Sequence, residues 1–395
     1  MKDESLTAAV EEFSPPPFTS RSMPYRSWVE ISLPQIAANF QAIRKAVGPG
    51  VEVMPVVKAD AYRHGAVEVS RTLEQEGVRW LAVSNTEEGI ALRMAGIRAR
   101  ILVMADFLPF MREAMLEYDL TPVIHSLEDL AALNDLAIRR EQICRCHLKI
   151  DTGMGRLGVR AEAATVGTAI QNAKHVEVEG LMTHFASAAN YQSGQTNRQI
   201  AAFDEMAATL AAAGIQPRLL HLSSTIPVAY GRRQAWRGMV RPGHAIYGYV
   251  SPVRGSAPAK ILDVRPALAW HATVLSVKTV PAGALIGYGG MFQAPRPMRL
   301  AVLAAGYADG IPHRLSNRGN VIVHGKLAPI VGAVSMDLTT IDVTQSPEIK
   351  VGEAVTLIGS EGGVSIDAQQ IAKWAGTISY SVLCGIHARV KRVYV

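Results

Sequence analysis

The chain has 395 residues, of which 49% are hydrophobic and 19% charged, and this balance excludes a disordered, collagenous or coiled-coil protein. Its 40 Lys and Arg residues exceed its 34 Asp and Glu residues, but the resulting charge of +6 is scattered, which argues against nucleic acid as a partner. No apolar run is long enough for a membrane helix and the acidic, polar N-terminus lacks a signal-peptide pattern, so we expect a cytoplasmic protein without membrane contact.

The N-terminal two thirds of the chain contain a repeated strand-and-helix pattern. Residues 1–25 mix charges, Ser and three prolines without apolar periodicity, so we predict a mobile extension there. In residues 26–262, short apolar runs alternate with helical patterns. The predicted strands are residues 53–57, 80–83, 101–104, 121–124, 147–150, 178–183, 219–222 and 239–241. Strand followed by helix, repeated about eight times, predicts an α/β fold that begins with a (β/α)8 TIM-type barrel.

Two of the predicted helices have clear apolar faces. One begins after Ser126, a residue type that caps helix N-termini. Apolar residues three or four positions apart share one face of a helix. The faces consist of Ile36, Phe40, Ile43 and Val47 in one helix and of Leu130, Leu133 and Leu136 or Ala137 in the other.

The pattern changes after residue 262, where strands follow one another with one helix, at residues 368–375. The predicted strands are residues 271–280, 300–304, 321–324, 329–334, 339–343, 354–358 and 388–395. Residues 263–395 are therefore predicted to form a β-rich C-terminal domain.

The three cysteines, Cys144, Cys146 and Cys384, are too few to cross-link a chain of this length and lack a zinc-type spacing. We expect free, buried thiols and no bound metal.

Lys58 follows directly after the first predicted barrel strand, and Tyr62, His64 and Gly65 come next. Barrel enzymes place catalytic side chains at the C-terminal ends of strands, so Lys58 is expected at the mouth. A lysine at a strand end is usually only solvated. The phenol and the imidazole nearby favour instead an amine that attacks an aldehyde, for which pyridoxal phosphate is the obvious candidate.

Residues 56–65, VVKADAYRHG, resemble the cofactor-lysine motif of alanine racemases, the barrel-type (fold type III) pyridoxal-phosphate enzymes. Further segments resemble that family in the same order and in both domains. They are residues 149–158 (KIDTGMGRLG), 180–186 (GLMTHFA), 240–243 (VRPG), 287–289 (GYG), 305–310 (AGYADG), 334–337 (VSMD) and 380–384 (YSVLC). The resemblance implies an isomerase that interconverts L-alanine and D-alanine and supplies D-alanine for cell-wall peptidoglycan.

The resemblance implies a two-base mechanism, with one base on each face of the substrate. Lys58 would bind the cofactor and serve one face, and Tyr288 from the second subunit of a homodimer would serve the other. Tyrosine is a poor base at its ordinary pKa of about 10, so the resemblance implies that His184, with Arg241 behind it, stabilises the phenolate. Without the other motifs, Tyr288 and His184 would be interpreted as a packed tyrosine and a capped histidine.

Arg241 is also implied to face the pyridine nitrogen of the cofactor, where many pyridoxal-phosphate enzymes use a carboxylate. The phosphate would be held by hydroxyl groups and backbone amides at the barrel mouth. The resemblance assigns this role to the hydroxyls of Tyr62, Thr225 and Tyr380 and to the amides of Gly243 and His244.

Three positions depart from the family pattern near the cofactor. Ser224 stands where the family commonly has Asn, His244 where an aliphatic residue is usual, and Arg63 where glycine is common. These departures bear on cofactor affinity and on the shape of the lysine loop.

For the substrate, the resemblance implies that Arg156 binds the carboxylate and that the amide of Met336 adds a donor. Lys149 is expected beside Arg156, and whether it is carbamylated, as in several members of the family, stays open. The residues implied at the substrate entrance are Tyr307, Tyr380 and Asp337, the last of which could equally be a turn residue.

Other functions remain open from the sequence. A racemase of broader specificity could act on serine or basic amino acids, and the Ser224–Thr225 departure leaves room for it. A non-catalytic pyridoxal-phosphate-binding barrel protein would resemble the first domain alone, so the β-rich domain argues against it. A decarboxylase would share the barrel and the lysine, but Arg241 and Tyr288 argue against that alternative.

Overall fold

The computed structural model describes residues 25–395, so the extension predicted for residues 1–25 lies outside the described residues, apart from Tyr25. Within this range no helix combines the length and the apolar character needed to cross a membrane. The chain begins with strand β1 (Ser27–Ile31) and helix α1 (Leu33–Val47).

Eight parallel strands then form a closed barrel. They are β2 (Glu52–Val53), β3 (Trp80–Val83), β4 (Arg100–Val103), β5 (Leu120–Ile124), β6 (Cys144–Lys149), β7 (Val176–Met182), β8 (Leu219–His221) and β9 (Met239–Val240). Strands β3 to β8 pair in chain order, and β2 pairs with β9. The ring closes where Val56 bridges Ala82 and where the Arg241 amide donates to the Ser223 carbonyl at 2.9 Å. The predicted barrel is confirmed.

Helices surround this barrel and bury the predicted apolar faces. After α1 the helices are α3 (Ala66–Gln75), α4 (Thr86–Met94), α5 (Arg112–Glu117), α6 (Leu127–Arg139), α7 (Ala163–Asn172), α8 (Gln195–Ala212) and α9 (Thr225–Ala229), whereas the short segment α2 (Lys58–Tyr62) has a left-handed backbone. The Ser126 hydroxyl accepts a hydrogen bond from the Asp129 amide at 3.0 Å, as expected of an N-cap. The apolar faces predicted for α1 and α6 are buried.

The second domain consists mainly of strands, as predicted. They are β10 (Leu268–Val280), β11 (Leu285–Ile286), β12 (Phe292–Gln293), β13 (Met298–Leu303), β14 (Asn320–Val323), β15 (Lys326–Pro329), β16 (Thr339–Asp342), β17 (Ala354–Glu361), β18 (Val364–Ile366) and β19 (Lys391–Tyr394). Two helices, α10 (Ala368–Ala375) and α11 (Ser379–Gly385), precede the last strand. The long strand β10 pairs with β1, β13 and β17 in a nine-stranded sheet.

Strand β1 lies in the sheet of the second domain, although it falls in the range predicted for the barrel. It runs antiparallel to β10 and parallel to β19. Trp270 on β10 donates its indole N–H to the Ser27 hydroxyl at 2.8 Å. The division into residues 26–262 and 263–395 remains a prediction, and β1 departs from it because its partners are more than two hundred residues away along the chain.

One predicted strand of the second domain is wrong. Residues 329–334 were expected to be extended, but β15 ends at Pro329. Strands β14 and β15 form a hairpin whose turn residues, His324 and Gly325, have φ of 48° and 72°. Positive φ at both positions suits a two-residue hairpin turn. The following apolar residues pack into the core as a loop with a single bridge between Ile330 and Ile341.

Candidate active site

Lys58 lies five residues after β2, just beyond the bridge between Val56 and Ala82, where the chain enters a left-handed turn. Residues 59–63 all have positive φ, between 52° and 67°, and none of them is glycine. Left-handed backbone costs roughly 1–2 kcal/mol per residue, so the surrounding structure must hold this turn. Backbone strain of this kind is concentrated at functional sites.

Polar groups of the neighbouring elements stabilise the left-handed turn. The Asp60 carboxylate accepts from the Ala66 amide at 2.8 Å, and the Glu88 carboxylate accepts from the Ala59 amide at 2.6 Å. His64 is fully buried, and its Nδ1 lies 3.0 and 3.1 Å from two carbonyls of the turn. Burial lowers the pKa of His64 to about 4, so the neutral ring donates to these carbonyls. His64 therefore supports the turn that positions Lys58.

Arg241, which follows β9, is almost completely buried and is held by neutral acceptors. Its Nη1 donates to the carbonyl of His221 at 2.7 Å and to His221 Nδ1 at 2.8 Å, and its Nη2 donates to the carbonyl of Thr183 at 2.7 Å. Burial lowers the pKa of Arg241 to about 9, so the guanidinium is still protonated at neutral pH. Its Nε donates to no residue in the described range.

His184 follows β7 and lies beside Arg241. The Arg241 Nη2 is 3.4 Å from His184 Nδ1, and because a guanidinium only donates, Nδ1 is the acceptor. Burial, followed by the positive charges of Arg241 and Lys149, lowers the pKa of His184 to about 3. The ring is therefore neutral, with its proton on Nε2, and can donate that proton to an anion.

Lys149, the last residue of β6, is buried beside Arg156. Burial, followed by the positive charges of Arg156 and Arg241, lowers the pKa of Lys149 to about 8. Arg156 is exposed on the loop after β6, where the Asp151 carboxylate accepts from the amides of residues 153–155. The expected proximity of the lysine to Arg156 agrees with this arrangement.

Hydrogen-bond donors without protein partners meet where Tyr62 approaches Gly243. A Cβ on Gly243 would lie 2.5 Å from the Tyr62 hydroxyl, so only glycine permits this approach. The amides of Gly243 and His244 donate to no residue in the range 25–395. Thr225 Oγ1 accepts from the Ala245 amide at 3.2 Å, which leaves its own proton free. This donor set fits an oxyanion such as a phosphate group.

The second domain contributes Tyr380, on α11, to the same place. Its ring stacks on His244 with 3.9 Å between centroids, and His244 Nε2 lies 3.3 Å from the Ser379 hydroxyl. Burial raises the pKa of Tyr62 and of Tyr380. Both phenols are therefore protonated at neutral pH and can act as donors.

The remaining residues predicted for the site lie apart, on the surface of the second domain. Tyr288 is 78% exposed, Met336 54% and Tyr307 46%. The Asp337 carboxylate pairs with Arg389 at 2.8 Å. Among residues 25–395, no hydrogen bond or ion pair connects Tyr288 with the barrel. Within one chain, the predicted barrel residues lie together. The predicted residues of the second-domain surface do not contact them through hydrogen bonds or ion pairs in the described range.

The cysteines lie outside the candidate site. All three are free, Cys144 and Cys146 buried and Cys384 half-buried. Across the described residues, no group of three or more His, Cys, Asp or Glu is placed to hold a metal ion.

Sequence reasoning missed two residues that hold the site in place. His221, on β8, is the direct partner of Arg241. Gln199, on α8, accepts from the Ala186 amide at 3.0 Å and donates to the His184 carbonyl at 3.0 Å. A polar residue inside an otherwise apolar strand was the available signal for His221, whereas the amphipathic pattern of α8 gave none for Gln199.

Comparison with known proteins gives consistent matches over both domains. The family model for the alanine racemase N-terminal domain matches residues 31–252, and the model for the C-terminal domain matches residues 267–394. The alanine racemase of Halothermothrix orenii is 40% identical over 369 residues, which are 93% of this chain and 96% of that protein.

Solved structures match over the same range. The alanine racemase of the D-cycloserine producer Streptomyces lavendulae superposes with a TM-score of 0.88 at 32% identity, covering 95% of this chain and 98% of that one. The Bartonella henselae alanine racemase with covalently bound pyridoxal phosphate superposes with a TM-score of 0.83 at 28% identity, covering 94% and 100% of the two chains.

Proposed function

The chain belongs to the alanine racemase family, and from this premise we propose that it is a pyridoxal-phosphate-dependent racemase that interconverts L-alanine and D-alanine. The proposed product D-alanine would supply cell-wall peptidoglycan, in the cytoplasm that the sequence predicts. The observation that carries the proposal is the barrel mouth, where Arg241 lies 3.4 Å from the neutral His184 and the amides of Gly243 and His244 donate to no described residue. The unpaired Nε of Arg241 belongs to the same group of side chains.

The donors at the mouth fit the cofactor. The covalently bound pyridoxal phosphate of the Bartonella henselae relative supports this assignment. When bound, the cofactor would withdraw electron density from the α-carbon of an amino acid, which makes its α-proton removable. Lys58 would attach the cofactor covalently and the Arg241 Nε would face its ring nitrogen. The phosphate would be held by Tyr62, Thr225, Tyr380 and the amides of Gly243 and His244.

Two bases on opposite faces would move the proton. The Lys58 amine takes the α-proton from one enantiomer while the Tyr288 phenol gives a proton to the opposite face, and the reverse reaction exchanges the roles. Tyr288 must therefore spend part of the cycle as a phenolate. His184 would stabilise that anion, because its neutral ring carries the proton on Nε2 and can donate it.

Arg241 would limit side reactions. As a cation it can donate to the ring nitrogen of the cofactor but cannot accept a proton from it, so the ring stays largely unprotonated. A less electron-withdrawing ring keeps the negative charge nearer the α-carbon, where reprotonation gives the enantiomer.

Alanine would be held by the loop after β6. The Arg156 guanidinium would bind the carboxylate in a fixed fork, with the Met336 amide as a further donor. Lys149 would position Arg156. Tyr307, Tyr380 and Asp337 would restrict the entrance to small side chains.

A homodimer with composite sites would bring Tyr288 of one subunit to Lys58 of the other. The exposed position of Tyr288 and Met336 supports this proposal. Two further apolar side chains near Tyr288, Leu285 and Met291, are 69% and 54% exposed. Burial of this surface against a second copy would remove apolar area from water.

The test is a racemisation assay. The purified protein with pyridoxal phosphate is incubated with single enantiomers of alanine, serine, lysine and arginine, and the products are separated by chiral chromatography. Conversion confined to alanine, and absent in Lys58→Ala, is the expected result. Comparable conversion of several amino acids would indicate the broader racemase, and no conversion by protein with bound cofactor would overturn the proposal.

A further inference from the structure

A row of buried polar side chains crosses the barrel interior beneath Arg241. His221 on β8 and His147 on β6 are both 0% exposed, and Glu179 on β7 is 3% exposed. His147 Nδ1 lies 2.7 Å from His221 Nε2, and His221 Nδ1 lies 2.8 Å from the Arg241 Nη1. Polar groups in the centre of a barrel are costly unless they are paired, so this row requires an explanation.

The direction of each hydrogen bond follows from Arg241. A guanidinium has only donors, so His221 Nδ1 accepts from Arg241. Burial lowers the pKa of both imidazoles, which are therefore neutral with one proton each. The proton of His221 must be on Nε2, from which it is donated to His147 Nδ1. The proton of His147 must then also be on Nε2.

Glu179 lies at the far end of the row. His147 Nε2 is buried and has no hydrogen-bond partner within the described part of the chain, and the Glu179 carboxylate is 3.6 Å away. That separation exceeds an ordinary hydrogen bond, so the contact is a charge–dipole attraction in this conformation. Burial raises the pKa of Glu179, but His147 and Arg100 outweigh burial and hold it at about 2, so the carboxylate is ionised.

The barrel is shaped around His147. A Cβ on Gly180 would lie 2.5 Å from the ring, so only glycine leaves room for the imidazole at this point of β7. Trp80 packs on the other side, with 5.2 Å between ring centroids, and the Arg100 guanidinium covers Trp80 at 3.9 Å. The ring therefore has little freedom to turn over and reverse its two nitrogens.

We propose that His147 and His221 form a one-way hydrogen-bonded pair, oriented by the charge of Glu179 beside His147, that fixes the donors of Arg241, which makes the three residues positioning residues for the reaction. This inference rests on the proposed function in so far as Arg241 faces the cofactor. Every donor in the row points away from Arg241 and towards the carboxylate. The guanidinium thus always meets an acceptor, and the Glu179 carboxylate, which also accepts from both terminal nitrogens of Arg100, attracts the last donor of the row.

The first test measures the tautomers directly. In protein labelled with 15N-histidine, long-range 1H–15N spectra distinguish the two nitrogens of each ring, and His147→Gln and His221→Gln assign the signals. We expect both rings to be protonated on Nε2 between pH 6 and pH 9. A proton on Nδ1 of either ring overturns the proposal, and this result does not depend on any racemase activity.

The second test removes the terminal charge. Glu179→Gln is compared with Glu177→Gln, the same change two residues earlier on β7, where Glu177 is exposed and pairs with Arg145. We expect Glu179→Gln to lower kcat about tenfold with KM within about twofold, and to shift the 15N signals of both rings. The control should change neither. Unchanged kcat and ring signals in Glu179→Gln contradict the proposal.

A third variant covers the possibility that Glu179→Gln fails to fold. Gly180→Ala removes no polar group but displaces the His147 ring, so it should lower kcat to a similar extent and alter the His147 signals. Wild-type kinetics with wild-type ring signals in a folded Gly180→Ala would contradict the proposal. If the wild-type protein does not racemise alanine, the proposed function fails. The protonated nitrogen of each ring would still test the proposed direction of the hydrogen bonds.

Discussion

Lys58 and Tyr288 are proposed to act on opposite faces of the substrate. Replacing one or the other should therefore have different effects on cofactor binding. Lys58→Ala should abolish racemisation in both directions and prevent covalent attachment of the cofactor. Tyr288→Phe should lower kcat by at least about a hundredfold, as expected for loss of an acid–base group, yet leave the cofactor bound. Chiral chromatography and the absorption spectrum of the bound cofactor measure the two effects.

The matched control for this pair is Tyr118→Phe, which makes the same change at a half-buried tyrosine just after α5. It should retain wild-type kcat. Near-full racemisation by Tyr288→Phe would show that the two-base assignment is wrong.

Lys149 is predicted to form a carbamate. Its pKa of about 8 leaves roughly a tenth of the amine neutral at pH 7, and a neutral amine can add carbon dioxide. The product is an anion beside Arg156 in place of a repelling cation. With 13C-bicarbonate, the wild-type protein should show a carbamate signal in its 13C spectrum that Lys149→Met lacks and that Lys174→Met, which alters an exposed lysine, retains. A wild-type spectrum without that signal would contradict the prediction.

The same lysine should make stability depend on pH. Its folded-state pKa of about 8 is below the ordinary value of 10.5, so between these values the unfolded chain binds more protons. Stability contributed by this residue therefore rises with pH across that window, by about 2 kcal/mol between pH 8 and pH 10. Urea denaturation in buffer free of carbon dioxide should reveal this rise in the wild type and a smaller one in Lys149→Met.

At the scale of elements, the left-handed turn after β2 offers a test of backbone strain. Arg63 has a φ of 67°, and its side chain donates to the Cys384 carbonyl at 3.3 Å. Replacement by Gly or by Ala removes that bond equally, but only glycine relieves the backbone. Arg63→Gly should therefore be about 1 kcal/mol more stable than Arg63→Ala in denaturant unfolding. Equal stability of the two variants would show that the turn is not strained at this residue.

The elements that the sequence predicted well are those whose own residues show a regular apolar pattern. Strand β3 and helix α10 have the predicted bounds, because a short apolar run and an amphipathic helix indicate their own structure. The left-handed turn could not be predicted, since residues 59–63 contain no glycine to indicate positive φ. Strand β1 was missed because its neighbours, β10 and β19, are remote in sequence.

Site residues that belong to a sequence motif could be predicted. Site residues that are placed only by tertiary packing could not. The motif around Lys58 and the segment containing Arg241 identified residues that the structure brings to the barrel mouth. His147, Glu179 and Gln199 belong to no such motif, because each acts through a neighbour that only the folded chain supplies. A single chain also does not show which site Tyr288 serves, because the side chain is exposed there.

At the scale of the whole molecule, composite sites predict that two inactive variants complement each other. In an equal mixture of Lys58→Ala and Tyr288→Phe with free subunit exchange, half of the dimers are mixed. Each mixed dimer combines both substitutions in one site and leaves the other intact, so about a quarter of the wild-type activity should return. Racemisation measured after mixing checks this, with exchange followed by mass-tagged subunits. Complete exchange without recovery would show that the sites are not shared.

The place of β1 also constrains the order in which the chain can fold during synthesis. Ser27 precedes its partner His271 on β10 by 244 residues. At 5–20 residues per second, the ribosome needs roughly 12–50 s to make that stretch, and β1 has no strand to pair with meanwhile. Its other neighbour, β19, is translated more than a hundred residues after the start of β10. The barrel can therefore fold while the chain is growing, whereas the sheet of β1, β10 and β19 closes only after β19 has left the ribosome.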